Sequence, residues 1–381
     1  MTIDEWRNEI NALDEDLLRL LNQRARLASR IGESKTASGL SLCDHTRERE
    51  VIERMCRANE GPLDDRAIVE LFRAVIHESR RIQSRNADLS GEPSAPGELN
   101  IPGDHLRVAF QGAPGAFSEE AAVKLLGEQI SLVPRATFES LYQAIHDQSA
   151  DFILAPIENS VAGFVHASFD QLLDSKLSII GEVIIPVSHC LIACPGASFE
   201  TIRTAESHPV ALEQCRRFLA ANQQIRKVVA EDTAGSVARV LAAGDLTRAA
   251  IAGKRAAAKY GGVILREHLE DSSENFTRFF LLSPHERFAA ISDQMSLVIE
   301  LPHQPGALHS ALEPFARRGI DLRKIEGRPV RGRPWEYCFY LELRGSANDP
   351  VILETLKELR QGRVETRILG SYRSDQLVRQ P

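Results

Sequence analysis

The segment LRVAFQGAPGAFSEEAAVKLL, residues 106–126, decides the fold of the central part of this chain. The apolar LRVAF predicts a buried strand, QGAPGA a glycine-rich turn, and FSEEAAVKLL a helix. The turn contains neither Gly-x-Gly-x-x-Gly nor Gly-Lys-Ser/Thr, so it is not a nucleotide-binding fingerprint. Ser118 lies near the start of the helix, where backbone N–H groups point outward and favour an anion.

The same order of strand, turn and helix recurs through residues 105–285, as in TIRTAESHP followed by VALEQCRRFLA. It predicts an α/β domain with functional residues at the strand ends. Residues 1–88 have three- and four-residue apolar spacing, which predicts a wholly helical domain. Residues 89–104 are rich in Pro, Gly and Ser and predict a linker. Residues 294–373 follow the order β-α-β-β-α-β of a ferredoxin-like α+β fold.

Composition limits the classes of function. The 381 residues suggest several domains, and 46 Lys and Arg against 53 Asp and Glu give a net charge of −7, which argues against nucleic acid as a partner. The longest apolar run, LSIIGEVIIPVSHCLIAC, is interrupted by Glu182 and Pro186, so no membrane span is expected. The start MTIDEWRNEI is unlike a signal peptide, and six scattered cysteines fit a reducing cytoplasm.

His189, Cys190 and Cys194 lie close enough in sequence to resemble a metal-binding cluster. No second ligand group stands at zinc spacing, and the three residues lie in an apolar strand pattern. Buried structural cysteines are the expected state. The sequence therefore predicts neither a metal nor a cofactor.

Polar residues of the helical domain fall on shared helix faces. Asp44, Arg47 and Glu48 are spaced at i, i+3 and i+4, and Ser79 and Gln83 are also four residues apart. Alone, such pairs more often belong to a solvated, salt-bridged helix surface.

Two further cations lie on the first helix. Arg24 and Lys35 are eleven residues apart, or about three turns, and lie about 16 Å apart along the axis. Arg7 precedes Arg24 by about 25 Å along the axis and about 100° around it. A small ligand cannot touch both arginines of one chain unless the helix breaks, whereas two chains could supply them.

The segments WRNEINALDEDLLRLLNQRARLASRIGESK, DHTRERE and ESRRIQ resemble the all-helical class of chorismate mutase. The resemblance implies a homodimer with interlocked first helices. It places eight residues around chorismate: Arg7 from the second chain with Arg24 and Arg47 at the carboxylates, Ser79 assisting them, Asp44 and Glu48 at the ring hydroxyl, and Lys35 and Gln83 at the ether oxygen.

Such a set suits a Claisen rearrangement, which transfers no proton and needs only orientation and charge stabilisation. The alternative is a helical dimerisation module without turnover. It is less favoured because all eight expected polar positions are filled.

Five segments of the α/β domain resemble prephenate dehydratase: the glycine turn, PIENS at 156–160, ESHPVALEQC at 206–215, DTAGSV at 232–237 and NFTRFF at 275–280. The resemblance implies two α/β lobes similar to the periplasmic binding proteins. It places nine residues in or near the cleft: Ser118, Glu158, Asn159, Ser160, Ser207, His208, Gln214, Thr277 and Arg278. Thr277 is the implied donor to the leaving hydroxyl, and Glu158 is a second candidate for the acid.

Strand alternation separates two of these residues. In a regular strand Thr277 and Phe279 point one way, and Phe276, Arg278 and Phe280 point the other. Thr277 and Arg278 therefore cannot both reach the substrate. Either the strand is bulged, or Arg278 braces the site from behind through a carboxylate.

Two alternatives remain, one for the substrate and one for the class of function. Val210 stands where the dehydratase family usually has Gln, and parts of the sequence resemble arogenate dehydratases, although Phe276 favours the prephenate type. A solute-binding protein with a helical appendage would share the two-lobed fold. The hydroxyl, carboxylate and amide groups of the cleft favour an enzyme.

Residues 294–373 resemble the ACT domain, a regulatory module that binds amino acids at a subunit interface. PGALHSAL and EGRP match its phenylalanine-binding motifs, with Gly327 in place of the usual serine. The resemblance implies effector contacts from Gly306, Ala307, Leu308, Glu326 and Arg328. A module that only dimerises is the alternative. The three parts together resemble the bifunctional enzymes that convert chorismate to prephenate and prephenate to phenylpyruvate under feedback by phenylalanine.

Overall fold

A computed structural model of the chain describes residues 2–37, 50–51, 54–65, 67–69, 71–72, 75–76, 79, 106–285, 292–330, 332–333 and 336–375. The chain divides into two compact units, residues 1–96 and 97–381. None of the helices within the described ranges combines the length and apolar character needed to cross a bilayer.

The first unit contains one long helix, α1 (Ile3–Ala37), of 35 residues. Because α1 is unbroken, Arg7 and Arg24 of one chain stay about 25 Å apart along its axis. The apolar side chains that predict this helix are largely exposed, with Trp6 at 52% and Leu13 at 67%. The first unit therefore presents an apolar stripe along α1.

The second unit begins with lobe 1. Its elements are β1 (Arg107–Gln111), α2 (Phe117–Leu126), β2 (Ser131–Arg135), α3 (Phe138–His146), β3 (Phe152–Asn159), β4 (Gly163–Phe164), α4 (His166–Asp174) and β5 (Ser178–Pro186). β3 and β5 are buried along nearly their whole length. Strands covered on both faces have continuous apolar runs instead of alternation, which explains their sequences.

Lobe 2 follows as a separate five-stranded sheet. Its elements are β6 (Cys190–Ala193), a 3-10 turn (Phe199–Thr201), β7 (Thr204–Ser207), α5 (Pro209–Gln214), α6 (Arg216–Ala221), β8 (Arg226–Val229), α7 (Thr233–Ala243), β9 (Arg248–Ala252), α8 (Lys254–Tyr260) and β10 (Val263–Arg266). The strand order is β10-β6-β9-β7-β8. Asp232 caps α7 by accepting from the backbone N–H of Gly235, which stabilises the helix start.

The chain then returns to lobe 1 as β11 (Phe276–Ser283), which lies antiparallel between β3 and β5. It thus crosses between the lobes twice, at residues 187–189 and 267–275. The crossings bond to each other: Val187 donates from its backbone to Asn275 O at 2.7 Å, and Leu269 donates to His189 O at 3.0 Å. The predicted two-lobed α/β domain is confirmed.

The C-terminal subdomain, residues 292–375, has the predicted order of elements. These are β12 (Gln294–Leu301), α9 (Ala307–Arg317), β13 (Leu322–Pro329), β14 (Tyr337–Arg344), α10 (Pro350–Gln361) and β15 (Glu365–Tyr372). They form an antiparallel sheet in the order β13-β14-β12-β15, with both helices packed on one face. The predicted β-α-β-β-α-β fold is confirmed.

This sheet is continuous with that of lobe 1, because Gly370 of β15 pairs in parallel with Ile179 of β5. A Cβ atom added at Gly370 would lie 2.1 Å from the carbonyl oxygen of Ile179. Only glycine permits this approach, so a glycine within a strand joins the C-terminal subdomain to lobe 1.

Candidate active sites

Thr277 faces the cleft side of β11, opposite Asn159 of β3. Asn159 Nδ2 donates to Thr277 Oγ1 at 3.0 Å. The orientation of this amide is fixed, because Asn159 Oδ1 accepts from the backbone N–H groups of Val161 and Ala162 at 3.0 and 2.7 Å. The Thr277 hydroxyl therefore accepts from Asn159 and keeps its own proton for another acceptor.

The turn after β3 is bonded to the residues that lead into β11. Asn159 Nδ2 also lies 2.8 Å from Asn275 Oδ1 and 3.0 Å from Phe276 O, so its two protons are shared among three acceptors. Ser160 Oγ donates to Glu274 O at 2.7 Å and accepts from the backbone of Phe276 at 2.9 Å. These bonds hold Thr277 and Asn159 in register.

Lobe 2 contributes Gln214, at the end of α5. Its Nε2 donates to Asn159 Oδ1 at 3.3 Å, so one hydrogen-bond network spans both lobes. Ser207 Oγ donates to Ile251 O at 2.6 Å and ties β7 to β9. His208 caps α5, and burial lowers the pKa of its imidazole.

The glycine turn of lobe 1 packs directly against lobe 2. Gly115 has φ +87°, and an added Cβ would lie 2.9 Å from Ala256 Cα. Glu119 accepts from the Gly115 backbone at 2.8 Å and from Arg255 Nε at 3.0 Å. Ser118 is buried beside this contact in the first turn of α2.

Arg278 lies on the opposite face of β11 from Thr277. Its Nη2 is 2.5 Å from Glu182 Oε2 of β5, and its Nη1 is 2.7 Å from Glu342 Oε1 of β14. Burial raises the pKa of Glu182, and the charge of Arg278 partly offsets this effect. Arg278 therefore links the strand of Thr277 to the C-terminal subdomain.

Glu158 lies on this same reverse face, because it pairs in register with Arg278. Its Oε2 is 2.6 Å from Lys324 Nζ of β13 and 3.9 Å from Arg278 Nη1. Lys324 Nζ also lies 4.4 Å from the ring centroid of Phe164. Glu158 is thus engaged by the C-terminal subdomain and faces away from the Thr277 hydroxyl.

The implied effector residues lie in two places: Glu326 and Arg328 on β13, and Gly306, Ala307 and Leu308 at the start of α9. Lys324, Glu326 and Arg328 are half-buried on the face towards lobe 1, where Arg328 Nη2 lies 2.5 Å from Asp170 Oδ1 and Nη1 lies 2.9 Å from His166 Nδ1. Gly327 is on the side of α9, beside Phe339. One chain therefore does not gather all five residues on one face.

In the first unit, Arg24 and Ser79 come together across 55 residues of sequence. Arg24 Nη1 donates to Ser79 Oγ and to Val75 O, the latter at 3.3 Å, while Ser79 Oγ donates to Val75 O at 2.7 Å. Arg7 is exposed on α1. Outside the described residues lie Asp44, Arg47, Glu48, Gln83 and the side chain of Lys35.

Comparison with known proteins identifies three successive domains. The chorismate mutase type II profile matches residues 6–84, the prephenate dehydratase profile residues 108–287, and the ACT domain profile residues 295–361. A bifunctional chorismate mutase/prephenate dehydratase from Aquifex aeolicus is 33% identical over 374 residues, which are 97% of each chain. The chain belongs to the bifunctional chorismate mutase/prephenate dehydratase family.

Two further relatives match about 70% of this chain. An arogenate dehydratase/prephenate dehydratase from Arabidopsis thaliana is 40% identical over 291 residues, 72% of this chain and 73% of the relative. The solved prephenate dehydratase from Arthrobacter aurescens in complex with L-Phe has a TM-score of 0.65 and 31% identity, covering 71% of this chain and 90% of that one.

Within this bifunctional chain, the dehydratase residues inferred from sequence fall into two groups. The structure brings Asn159, Gln214 and Thr277 together, whereas Glu158 and Arg278 form ion pairs on the reverse face. The β3–β11 pairing does shift register between Arg278 and Phe279, but the Arg278 side chain contacts carboxylates. This arrangement corresponds to the bracing alternative.

Sequence reasoning missed several residues of these networks. Asn275 could have been found, because it precedes Thr277 by two positions and alternation places both on one face. His189 was considered only as a metal ligand, yet its Nε2 lies 2.9 Å from Gln214 Oε1. Lys324 and Glu342 had no signal in the sequence, because their partners lie far away along the chain.

Proposed function

We propose that the dehydratase cleft converts prephenate to phenylpyruvate, with the Thr277 hydroxyl donating a hydrogen bond to the departing ring hydroxyl. The supporting observation is the 3.0 Å bond from Asn159 Nδ2, which leaves the threonine proton available. Decarboxylation sends an electron pair into the ring, which becomes aromatic as the hydroxyl leaves. Thr277 stabilises the negative charge that develops on the departing oxygen.

The remaining dehydratase residues take binding or supporting roles. Ser118 and His208 contact the substrate, and Ser118 lies in the first turn of α2, where backbone N–H groups favour a carboxylate. Ser160 and Ser207 support the site, because their hydroxyls donate to backbone carbonyls. Glu158 is not the proton donor, since its ion pair with Lys324 lies behind the strand.

The helical domain converts chorismate to prephenate. Arg24 and Ser79 form a preassembled donor pair for a carboxylate, and their hydrogen bond supports this role. The other residues keep the roles that the family resemblance implies: Arg7 and Arg47 at the carboxylates, Asp44 and Glu48 at the ring hydroxyl, and Lys35 and Gln83 at the ether oxygen.

The protein acts as a homodimer. The exposed apolar stripe of α1 suits a second copy of the same helix, and large exposed apolar surfaces are typical of interfaces. The unbroken α1 also keeps Arg7 too far from Arg24 for both to contact one chorismate from the same chain. In a dimer the second chain supplies Arg7.

Phenylalanine is the effector, as suggested by the dehydratase relative solved in complex with L-Phe. It binds at the edge of β13, near Gly327 and the start of α9. Lys324, Glu326 and Arg328 lie on the other face of β13, against lobe 1, so a shift of this strand would reach Glu158 and Arg278. A ligand regulates only by favouring one of two states, and this strand is the element it would bias.

We assign prephenate in preference to arogenate, because the relative matched along nearly the whole chain is a chorismate mutase/prephenate dehydratase. A helical domain that produces prephenate also fits this substrate. The cytoplasm is the proposed compartment, consistent with five described cysteines that are all free.

A time course with chorismate as the only substrate tests these assignments. Prephenate should rise first and phenylpyruvate should follow, and added phenylalanine should slow the second step. Accumulation of prephenate without phenylpyruvate would contradict the dehydratase assignment. Equal dehydratase rates with and without phenylalanine would indicate that the ACT domain serves only for dimerisation.

A further inference from the structure

We propose that His189 is a positioning residue of the dehydratase reaction, which acts through Gln214 and Asn159 to keep the Thr277 proton directed at the substrate. The inference rests on the proposed role of Thr277. His189 lies on the first crossing between the lobes, immediately before β6, and is 2% exposed. Its ring is the far end of a hydrogen-bond chain that reaches the reacting hydroxyl.

The direction of every bond in this chain is determined. Two backbone N–H groups donate to Asn159 Oδ1, so the neighbouring Gln214 group at 3.3 Å must be its amide nitrogen. Gln214 therefore turns its oxygen towards His189 Nε2, at 2.9 Å. An oxygen acceptor requires the proton to be on Nε2.

The opposite tautomer would be unfavourable on two counts. It would set a lone pair of Nε2 against the Gln214 oxygen, and it would leave a buried N–H on Nδ1 without an acceptor among the described residues. Burial also lowers the pKa of His189, which keeps the ring neutral. His189 is therefore held as the neutral Nε2–H form.

The ring is also fixed in space. The backbone N–H of His189 donates to Glu270 Oε2 at 2.7 Å, and the backbone oxygen accepts from Leu269 at 3.0 Å. Phe117 meets the imidazole edge-on, with ring centroids 5.6 Å apart. Both crossings and the glycine-turn helix thus hold the donor that orients Gln214.

This hydrogen-bond chain has one chemical consequence. If the Gln214 amide rotated, its oxygen would face Asn159 Oδ1 and repel it, which would weaken the backbone hydrogen bonds that hold Asn159 and lengthen its bond to Thr277. His189 opposes this rotation, because its Nε2–H donates to the Gln214 oxygen and would lose its acceptor if the amide turned.

Dehydratase kinetics on the full-length protein test the proposal, with the mutase activity of the same samples as a measure of protein amount and the KM for prephenate as a measure of an intact cleft. His189→Met removes the donor and should lower dehydratase kcat by about tenfold with little change in KM. His189→Gln retains an N–H donor and should recover most of kcat. Cys190→Ala changes the adjacent buried residue, which is not part of the hydrogen-bond chain, and should keep the wild-type kcat.

A double variant separates positioning from general loss of stability. If His189 acts through Gln214, adding His189→Met to Gln214→Met should cause no further loss of kcat. Additive losses, or a His189→Met enzyme with wild-type kcat, would overturn the proposal. Wild-type protein that releases no phenylpyruvate would instead contradict the proposed function itself, so the two failures are distinguishable.

Discussion

Arg278 of the dehydratase domain donates from Nη1 to both carboxylate oxygens of Glu342 in the ACT domain, at 2.7 and 2.9 Å. Arg278 is adjacent in sequence to Thr277, so the strand that carries the Thr277 hydroxyl on one face is bound to the ACT domain on the other. Tyr340 and Gln294 also donate to Glu342, which completes a buried polar network. The strand β11 thus carries Thr277 on one face and the contact with the ACT domain on the other.

Removal of the Arg278 charge should destabilise this junction. Arg278→Met would leave Glu182 and Glu342 buried without a counter-charge, which costs about 3–5 kcal/mol of unfolding free energy. Chemical denaturation followed by fluorescence measures it. Arg107→Met is the matched control, because it breaks an exposed ion pair with Asp151 and should leave the midpoint nearly unchanged. Equal losses in the two variants would contradict a special role for Arg278.

Replacement of the Thr277 hydroxyl should affect one activity only. Thr277→Val keeps the β-branched shape but removes the donor, and dehydratase kcat should fall by about 10²–10⁴-fold. Thr277→Ser should retain much of the rate. Chorismate consumption should be unchanged in both variants, because the mutase domain is separate. A valine variant that releases phenylpyruvate at the normal rate would exclude Thr277 as the donor.

Lys324→Met should weaken the response of the dehydratase to phenylalanine. The variant removes the 2.6 Å ion pair with Glu158, and we expect half-inhibition to need about tenfold more phenylalanine, within the usual range of coupling energies. Arg323→Met is the control, since Arg323 is the exposed neighbour of Lys324 in β13. Identical inhibition curves for the two variants would rule out coupling through Lys324.

Gly327→Ser should have the opposite effect and strengthen inhibition. A Cβ at this position would lie 3.4 Å from Phe339 Cε1, an ordinary contact, so the serine fits without displacement. Its hydroxyl would extend on the side of α9, where it adds a hydrogen-bonding group for the amino acid. Inhibition curves should shift to lower phenylalanine concentration. A shift to higher concentration would mean that phenylalanine does not bind beside Gly327.

Mixing two inactive mutase variants tests the shared site. Arg7→Ala and Arg24→Ala should each lose mutase activity, because both arginines are assigned to the substrate carboxylates in the proposed function. In a mixed dimer one site recovers both arginines, so subunit exchange should restore activity at about one quarter of all sites. Dehydratase activity of the samples serves as the loading control. No recovery after verified exchange would show that Arg7 and Arg24 serve the same chain's site.

The local pattern of the sequence determined the elements and their classes. Apolar spacing predicted α1, the alternation of strand and helix predicted the dehydratase lobes, and the β-α-β-β-α-β order predicted the ACT fold, because these signals depend on neighbours within a few residues. Motifs also located Asn159, Gln214 and Thr277, and alternation along β11 separated Thr277 from Arg278 before their partners were known.

Only the tertiary structure decided which partners these side chains have. Glu158 was a candidate acid in the sequence, but it faces the ACT domain because β3 and β11 pair in a register that places it beside Arg278. Lys324, Glu342 and His189 reach residues far away along the chain, and no local pattern encodes such contacts. The sequence by itself determined the folds and singled out the Thr277 hydroxyl as a candidate, whereas strand pairing decided what supports that hydroxyl from each face.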